Sequence, residues 1–404
     1  MQERSPGAGP TGRVWRELGA GGGVTVESVE VLRVDLPFLR PVTTAVGVHR
    51  HRPLVLVRVA VRTAHGRAVS GWGECAALAD TTYDAEDADG AFASLTDVLV
   101  PALLASLPAG GDLPSVGHLE DAVPPGHVPL AWSTLEMAVG DAHLRAASHS
   151  LADLFGVAGR HVVPGAVLGL PTGVATLRVD LDRLAADGYA RAKVKVAPGT
   201  EAIIGEVLSG RSPGGIPVQL DANGSYGPDD LEGLVGLDDL GLLCVEQPLG
   251  RDDLTGHRAL AARLRTPVCL DESLDSPGRV TEAVRAGACS VVCVKPARLG
   301  GIGAALDVID WCDAAAVPWW IGGMFEAGVG RSVLTAFGAL PTAGLPGDLA
   351  PPTTYLGRDL VVPVAGGSTA GPVRITVHDG PGLAPEPDRV AVEEVLVRRH
   401  VAVR

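Results

Sequence analysis

Across the second half of the chain, short apolar runs recur and end in a charged or amide residue. They read Arg191-Ala-Lys-Val-Lys-Val196, Ile216-Pro-Val-Gln-Leu-Asp-Ala-Asn223, Leu243-Cys-Val-Glu-Gln-Pro248, Pro267-Val-Cys-Leu-Asp-Glu272 and Val291-Val-Cys-Val-Lys-Pro296. From Lys195 the steps to Asp221, Glu246, Asp271 and Lys295 are 26, 25, 25 and 24 residues. Segments with helical patterning, such as 253–264 and 277–286, lie between the runs. Apolar strands alternating with helices at a constant pitch indicate βαβ units and a parallel sheet. Further candidate strands at 162–170, 317–323 and 343–349 bring the number to eight, as in a closed (β/α) barrel.

In such barrels the chemistry lies at the C-terminal strand ends. Lys, Asp, Glu, Asp and Lys therefore converge on one mouth from adjacent strands. A strand-end aspartate is often only a helix N-cap, which accounts for any one of these acids but poorly for all three between two lysines.

Composition sharpens this picture. Of 33 Lys plus Arg residues only Lys193, Lys195 and Lys295 are lysine. A chain that uses arginine for nearly every other cation keeps lysine where arginine cannot serve, and an enclosed lysine can lose its proton near neutral pH. Lys193 and Lys195 are two apart, so on a strand they share a face. Lys195, nearer the strand end, is the expected base, Lys193 its electrostatic neighbour that lowers a lysine pKa, and Lys295 the group approaching from the other side. Asp221, Glu246 and Asp271 offer hard oxygen ligands suited to Mg²⁺. A cation there would stabilise the enediolate formed when a proton α to a carboxylate leaves.

The remaining numbers exclude more than they assign. The net charge of -14 argues against nucleic acid. No apolar run of membrane-spanning length lacks charges or turn residues. Six cysteines without a Cys-x-x-Cys pair fit buried free thiols and a cytoplasmic location. Residues 1–23, rich in Gly, Pro, Arg and Glu, read as a disordered tail or a misplaced start.

The sequence resembles the enolase superfamily, in the muconate-cycloisomerase-like branch with Lys-x-Lys on the second barrel strand and Lys on the sixth. The resemblance runs from about Val24 to the C-terminus. Besides the runs above it includes Gly71-Trp-Gly-Glu-Cys75, Leu135-Glu-Met-Ala138, Lys295-Pro-Ala-Arg-Leu-Gly-Gly301, Gly322-Gly-Met-Phe-Glu-Ala-Gly-Val-Gly330 and Leu345-Pro-Gly-Asp-Leu349. It implies an α/β fold: a (β/α) barrel of modified TIM type over residues 128–354, with an α+β capping domain at 24–127 completed by 355–404. Loops at 43–47 and 77–83 are expected to close over the mouth.

The Gly-Gly-Met-x-Glu-x-Gly run resembles the o-succinylbenzoate synthase and N-acylamino acid racemase group. For this group the resemblance implies Mg²⁺ (or Mn²⁺) as cofactor and a small carboxylate as substrate, with Asn223, Arg298, Gly323, Met324 and Glu326 as substrate contacts. It also implies a homo-oligomer. Arg298 reads equally as a solvated loop charge. Three departures stand out. Residues 162–170 lack a serine that relatives place near the substrate, the helix from Pro129 reads Ala138-Val-Gly-Asp141 where a Trp is usual before the Asp, and 43–47 replaces a more aromatic stretch.

The expected activity is that of a carbon–oxygen hydro-lyase, dehydrating a 2-succinyl-6-hydroxy-cyclohexadiene-1-carboxylate to o-succinylbenzoate in menaquinone synthesis. Racemisation of N-succinylamino acids, as sole or second activity, is the nearest alternative, and a muconate-type cycloisomerase is remoter. A Schiff-base lyase on Lys195 or Lys295 and a catalytically silent barrel both leave the carboxylate triad unexplained.

Overall fold

The structure, a computed structural model, describes residues 10–44, 47–123, 128–211, 214–362 and 372–403. The chain first builds an antiparallel sheet from β1 (Val24–Thr44), β2 (Gly47–Thr63) and β3 (Ala68–Cys75). Alternating valines on β1 and β2, such as Val29, Val31, Val57 and Val59, fill its inner face. Helix Pro129–Ala147 lies directly on β3. A Cβ on Gly71 would stand 2.1 Å from the Ala138 carbonyl, and one on Gly73 2.0 Å from that of Thr134. The glycines of Gly-Trp-Gly-Glu thus permit sheet and helix backbones to touch.

The next strands are β4 (His161–Val162), β5 (Gly165–Leu168), β6 (Arg191–Lys195), β7 (Val218–Asp221), β8 (Val245–Glu246), β9 (Val268–Leu270), β10 (Val291–Val294) and β11 (Trp319–Ile321). β5 to β11 form one parallel sheet in sequential order. The register aligns Lys195 with Asp221, and Asp221 with Glu246, so the strand-end residues are lateral neighbours. Asp271 and Lys295 lie one residue beyond β9 and β10.

Two predicted strands differ in detail. The first, 162–170, is divided: Pro164 breaks it, leaving β4 to pair with β12 (Ile375–Thr376) while β5 enters the barrel. The eighth, 343–349, is not a regular strand, because Gly344, Pro346 and Gly347 interrupt its ladder. It nevertheless closes the barrel. Gly344 N and Asp348 N donate to Trp319 O and Ile321 O on β11, and Gly165 N of β5 donates to Gly347 O. The last strand, β13 (Leu396–Val403), returns to pair antiparallel with β1.

The disordered tail expected for residues 1–23 is corrected from Pro10 onward. Residues Pro10–Glu17 form a helix with Trp15 fully buried. The polar, glycine-rich composition concealed one large anchoring side chain. All six cysteines are buried and free. The helical stretch Ala88–Ser106 is long and apolar enough to cross a bilayer by length and composition; here Leu95, Leu99 and Leu103 sit in the core.

Candidate active site

The barrel mouth gathers the predicted residues. Lys195 Nζ donates to Asp221 Oδ2 at 2.7 Å and to Asn223 Oδ1. Its side chain is 30% exposed, the most open of the three lysines. Lys193 is enclosed, with Nζ 2.5 Å from Asp348 and 3.2 Å from both Asp221 and Glu246. Lys295 Nζ stands 2.8 Å from Asp271 Oδ2. β6 and β10 are four positions apart in a ring of eight, so Lys195 and Lys295 face each other across the mouth.

Burial works against charge on Lys193, yet Asp348, Glu246 and Asp221 outweigh it and hold the ammonium well above its usual range. Lys295 is likewise raised, burial being outweighed by Asp271. The lowering expected beside a second ammonium is therefore corrected for Lys193, because the carboxylates around it outnumber the ammonium groups. Burial also opposes ionisation of Asp271, but Lys295 and Arg298 hold its carboxyl well below the carboxylate range. Glu246 goes the other way: burial, then the Asp221 charge, push it well above.

This imbalance tests whether a cation fits. Glu246 and Asp271 oxygens and the Cys293 Sγ lie within 4.8 Å of one another. Asp221, on the strand beside Glu246, directs its carboxylate at Lys193 and Lys195. Glu246 is fully buried and shares its nearest cation, Lys193, with Asp221 and Asp348. Glu246, with no cation of its own, and Asp271 beside it offer hard oxygen ligands that suit a divalent ion.

Several contributors carried no assigned role in the sequence. Asp348 ends the irregular eighth run and binds both Lys193 and Arg191. The strand-end rule that located the other acids would have found it. Tyr83, from the loop expected to cover the mouth, donates to Asp271 Oδ2 at 2.6 Å, and its ring lies under Lys295 and Arg298 at 4.8 and 4.9 Å. Arg298 is not a solvated charge: it is 1% exposed and binds Asp84 and Asp271. Asn223 joins Lys195 to Glu272. Met324 is buried, and its N–H donates to Glu326 Oε1 at 2.7 Å. The Glu326 carboxylate also receives Arg331, so it shapes the Gly323–Met324 loop. In the other covering loop, 43–47, Ala45 and Val46 lie outside the described residues.

Two buried side chains tie the sheet of β1–β3 to the mouth. Arg52 donates to the carbonyls of Ala76, Ala77, Met324 and Phe325. Glu74 accepts Ala327 N at 2.7 Å and Gly330 N at 3.0 Å, the start of helix Gly328–Gly338. Burial pushes Glu74 up to about 7, with Glu326 and Asp359 adding to the shift. A raised carboxyl favours the fold while protonated, and that contribution is lost as pH rises from the ordinary carboxylate range past about 7. Glu74→Gln should therefore shrink the loss of stability between pH 5.5 and 8.5 by about 1–3 kcal/mol. Calorimetric scans at the two pH values check this; an unchanged pH dependence would contradict it.

Fold and site together define a (β/α)-barrel enzyme with a covering domain, and the chain belongs to the enolase superfamily. Residues 28–156 match the family described as mandelate racemase / muconate lactonizing enzyme, N-terminal domain, and 176–391 match enolase C-terminal domain-like. Enzymes of this family depend on a divalent metal and act on small carboxylates.

Among relatives, the chain is 36% identical over 378 residues to N-succinylamino acid racemase of Amycolatopsis sp, covering 93% of this chain and 98% of that one. It is 35% identical over 380 residues to o-succinylbenzoate synthase of Geobacillus stearothermophilus, covering 92% and 96%. A solved structure of a probable mandelate racemase from Alicyclobacillus acidocaldarius superimposes with a TM-score of 0.84 at 34% identity, covering 94% and 98%.

Proposed function

We propose that the protein is an o-succinylbenzoate synthase, dehydrating a 2-succinyl-6-hydroxy-cyclohexadiene-1-carboxylate in menaquinone synthesis. The observation that carries the reading is Lys195, the most open lysine, at the C-terminal end of β6 beside Asp221 and Asn223. Relatives bearing the synthase name at 35%, 32% and 30% identity over more than nine-tenths of the chain support the substrate class.

In this reading Asp221, Glu246 and Asp271 would hold a divalent cation, Mg²⁺ or in its place Mn²⁺, which would supply positive charge to stabilise the substrate carboxylate as it takes up electrons. Lys195 Nζ takes the α-proton, and the C–H electrons pass into the carboxylate. The same ammonium then gives the proton to the departing β-hydroxyl as the C–O bond breaks and the electrons held in the carboxylate return to form the new C=C bond, releasing water. Asp221 and Asn223 orient Nζ. Tyr83 and the loop held by Arg52 exclude water from the intermediate.

Racemisation of N-succinylamino acids is the second reading. It is favoured by Lys295 facing Lys195 across the mouth, since reprotonation on the opposite face needs a second acid, and by the 36% identical racemase. The test is incubation with Mg²⁺ in deuterated buffer, of the cyclohexadiene acid in one tube and N-succinyl-L-phenylglycine in another. Fast loss of the diene with slower racemisation supports the synthase. The reverse makes the protein a racemase. Neither reaction, with no deuterium uptake, removes both readings.

A further inference from the structure

We propose that the N-terminal helix Pro10–Glu17 is a brace that positions Lys295 and Arg298, acting through Trp15 and Glu136. The helix precedes the stretch matched by the family, which begins at residue 28. Nothing in the chemistry of the mouth requires it, yet it is fastened firmly. Trp15 is 0% exposed and lies in a slot over Gly140, where a Cβ would stand 2.2 Å from the indole. Arg16 grips Asp307 with two bonds of 3.0 and 2.8 Å and Glu120 with a third of 3.1 Å. Asp307 belongs to helix Ile302–Ala314, which follows the Lys295 segment.

The connection to the mouth runs through Glu136, buried on helix Pro129–Ala147. Its Oε1 accepts the Trp15 indole N–H at 2.7 Å and Gly303 N at 2.9 Å, and its Oε2 accepts Ile302 N at 2.6 Å. The last two are the first amides of helix Ile302–Ala314. At Gly301, φ is +116° and a Cβ would meet Glu136 Oε2 at 2.1 Å, so the chain crosses directly over this carboxylate. Only residues 296–301 separate that anchor from Lys295, and they include the short helix Pro296–Leu299 that carries Arg298. Lys295 is therefore held by β10 on one side and by the Glu136 anchor on the other.

Of the three donors to Glu136, the indole alone comes from outside the anchored segment. Removing it leaves a buried carboxylate short of a partner, a loss on the order of a tenfold change in a local equilibrium or more. Trp15 and Glu136 touch neither substrate nor metal ligands and are positioning residues. The functional half of this inference rests on reading Lys295 as the acid–base group of one face.

The variants are Trp15→Phe, which keeps a ring over Gly140 but removes the N–H, and Glu136→Gln. Lys295→Ala identifies which enantiomer of N-succinylphenylglycine Lys295 serves. The first readout needs no substrate: amide hydrogen exchange of the peptide spanning 300–305, followed by mass spectrometry. It should quicken about tenfold in Trp15→Phe while the β1–β3 sheet stays protected. The second is solvent-deuterium exchange into each enantiomer. Exchange through Lys295 should fall about five- to tenfold, with exchange through Lys195 changed less than about twofold.

Unchanged protection of 300–305 overturns the brace. So does an equal loss with both enantiomers, which marks Trp15 as a general stabiliser. If the wild-type protein exchanges neither enantiomer, the racemase reading fails, and the amide-exchange result alone decides the brace.

Discussion

Lys195→Ala should reduce dehydration by about 10⁴-fold, the upper end of what one positioned acid–base group supplies and equivalent to about 5.5 kcal/mol of barrier. In the proposed mechanism the same Nζ removes the α-proton and returns it to the leaving hydroxyl, so both steps fail together. Lys295→Ala should behave differently. It leaves the Lys195 face intact, so one enantiomer of N-succinylphenylglycine should still exchange its α-proton with solvent while conversion to the other ceases. Lys193 should not substitute for either. Its ammonium is enclosed by Asp348, Glu246 and Asp221, which hold its proton. The measurement is α-proton exchange by NMR for each enantiomer with each variant. If both enantiomers lose exchange equally in Lys295→Ala, the two-face assignment is wrong.

The lysines were legible because of their rarity. Against thirty arginines, three lysines in apolar runs are conspicuous, and a constant pitch placed them and the acids on successive strands. Local signals of this kind survive folding because a parallel barrel repeats one short unit. What was hidden depends on contacts distant in sequence. The eighth run reads as a strand at 343–349, but Pro346 and Gly347 break its apolar stretch just before Asp348, which carried no assigned role although it binds Lys193. Tyr83 reaches Asp271 across 188 positions, and Glu74 holds Gly330 across 256. No pattern near either residue announces such a partner. The N-terminal helix shows the same limit. Its composition is that of a tail, and the decisive fact, a glycine slot at position 140 shaped for an indole, lies 125 residues away.

Glu246→Gln should abolish tight metal binding and yet stabilise the metal-free protein. The two effects share one cause. Glu246 is a fully buried carboxyl raised well above its usual range by burial and by Asp221. Its ionised form costs folding free energy at neutral and alkaline pH, and that cost vanishes only as pH falls into the ordinary carboxylate range, where the unfolded group is protonated too. A neutral amide removes the cost, while Lys193 retains Asp221 at 3.2 Å and Asp348 at 2.5 Å. The metal-free variant should therefore be more stable than wild type at pH 8, by about 1–3 kcal/mol, and melt higher, with a margin that narrows toward pH 5.

Metal should reverse the order. Wild type should gain about 2.7 kcal/mol at a metal concentration one hundred times its Kd. The variant, short of one oxygen charge, should bind about 10²-fold more weakly or worse and gain little. Asp271→Asn provides the contrast. Lys295 and Arg298 hold that carboxyl well below its usual range, so its charge stabilises the fold, and the amide should lower the melting temperature with or without metal. Calorimetric titration with Mg²⁺ and thermal scans of the three proteins decide the matter. A Glu246→Gln variant that binds metal like wild type would remove Glu246 from the ligand set. One that melts lower at pH 8 would mean that its bonds to Lys193 and Gln219 outweigh its repulsion by Asp221.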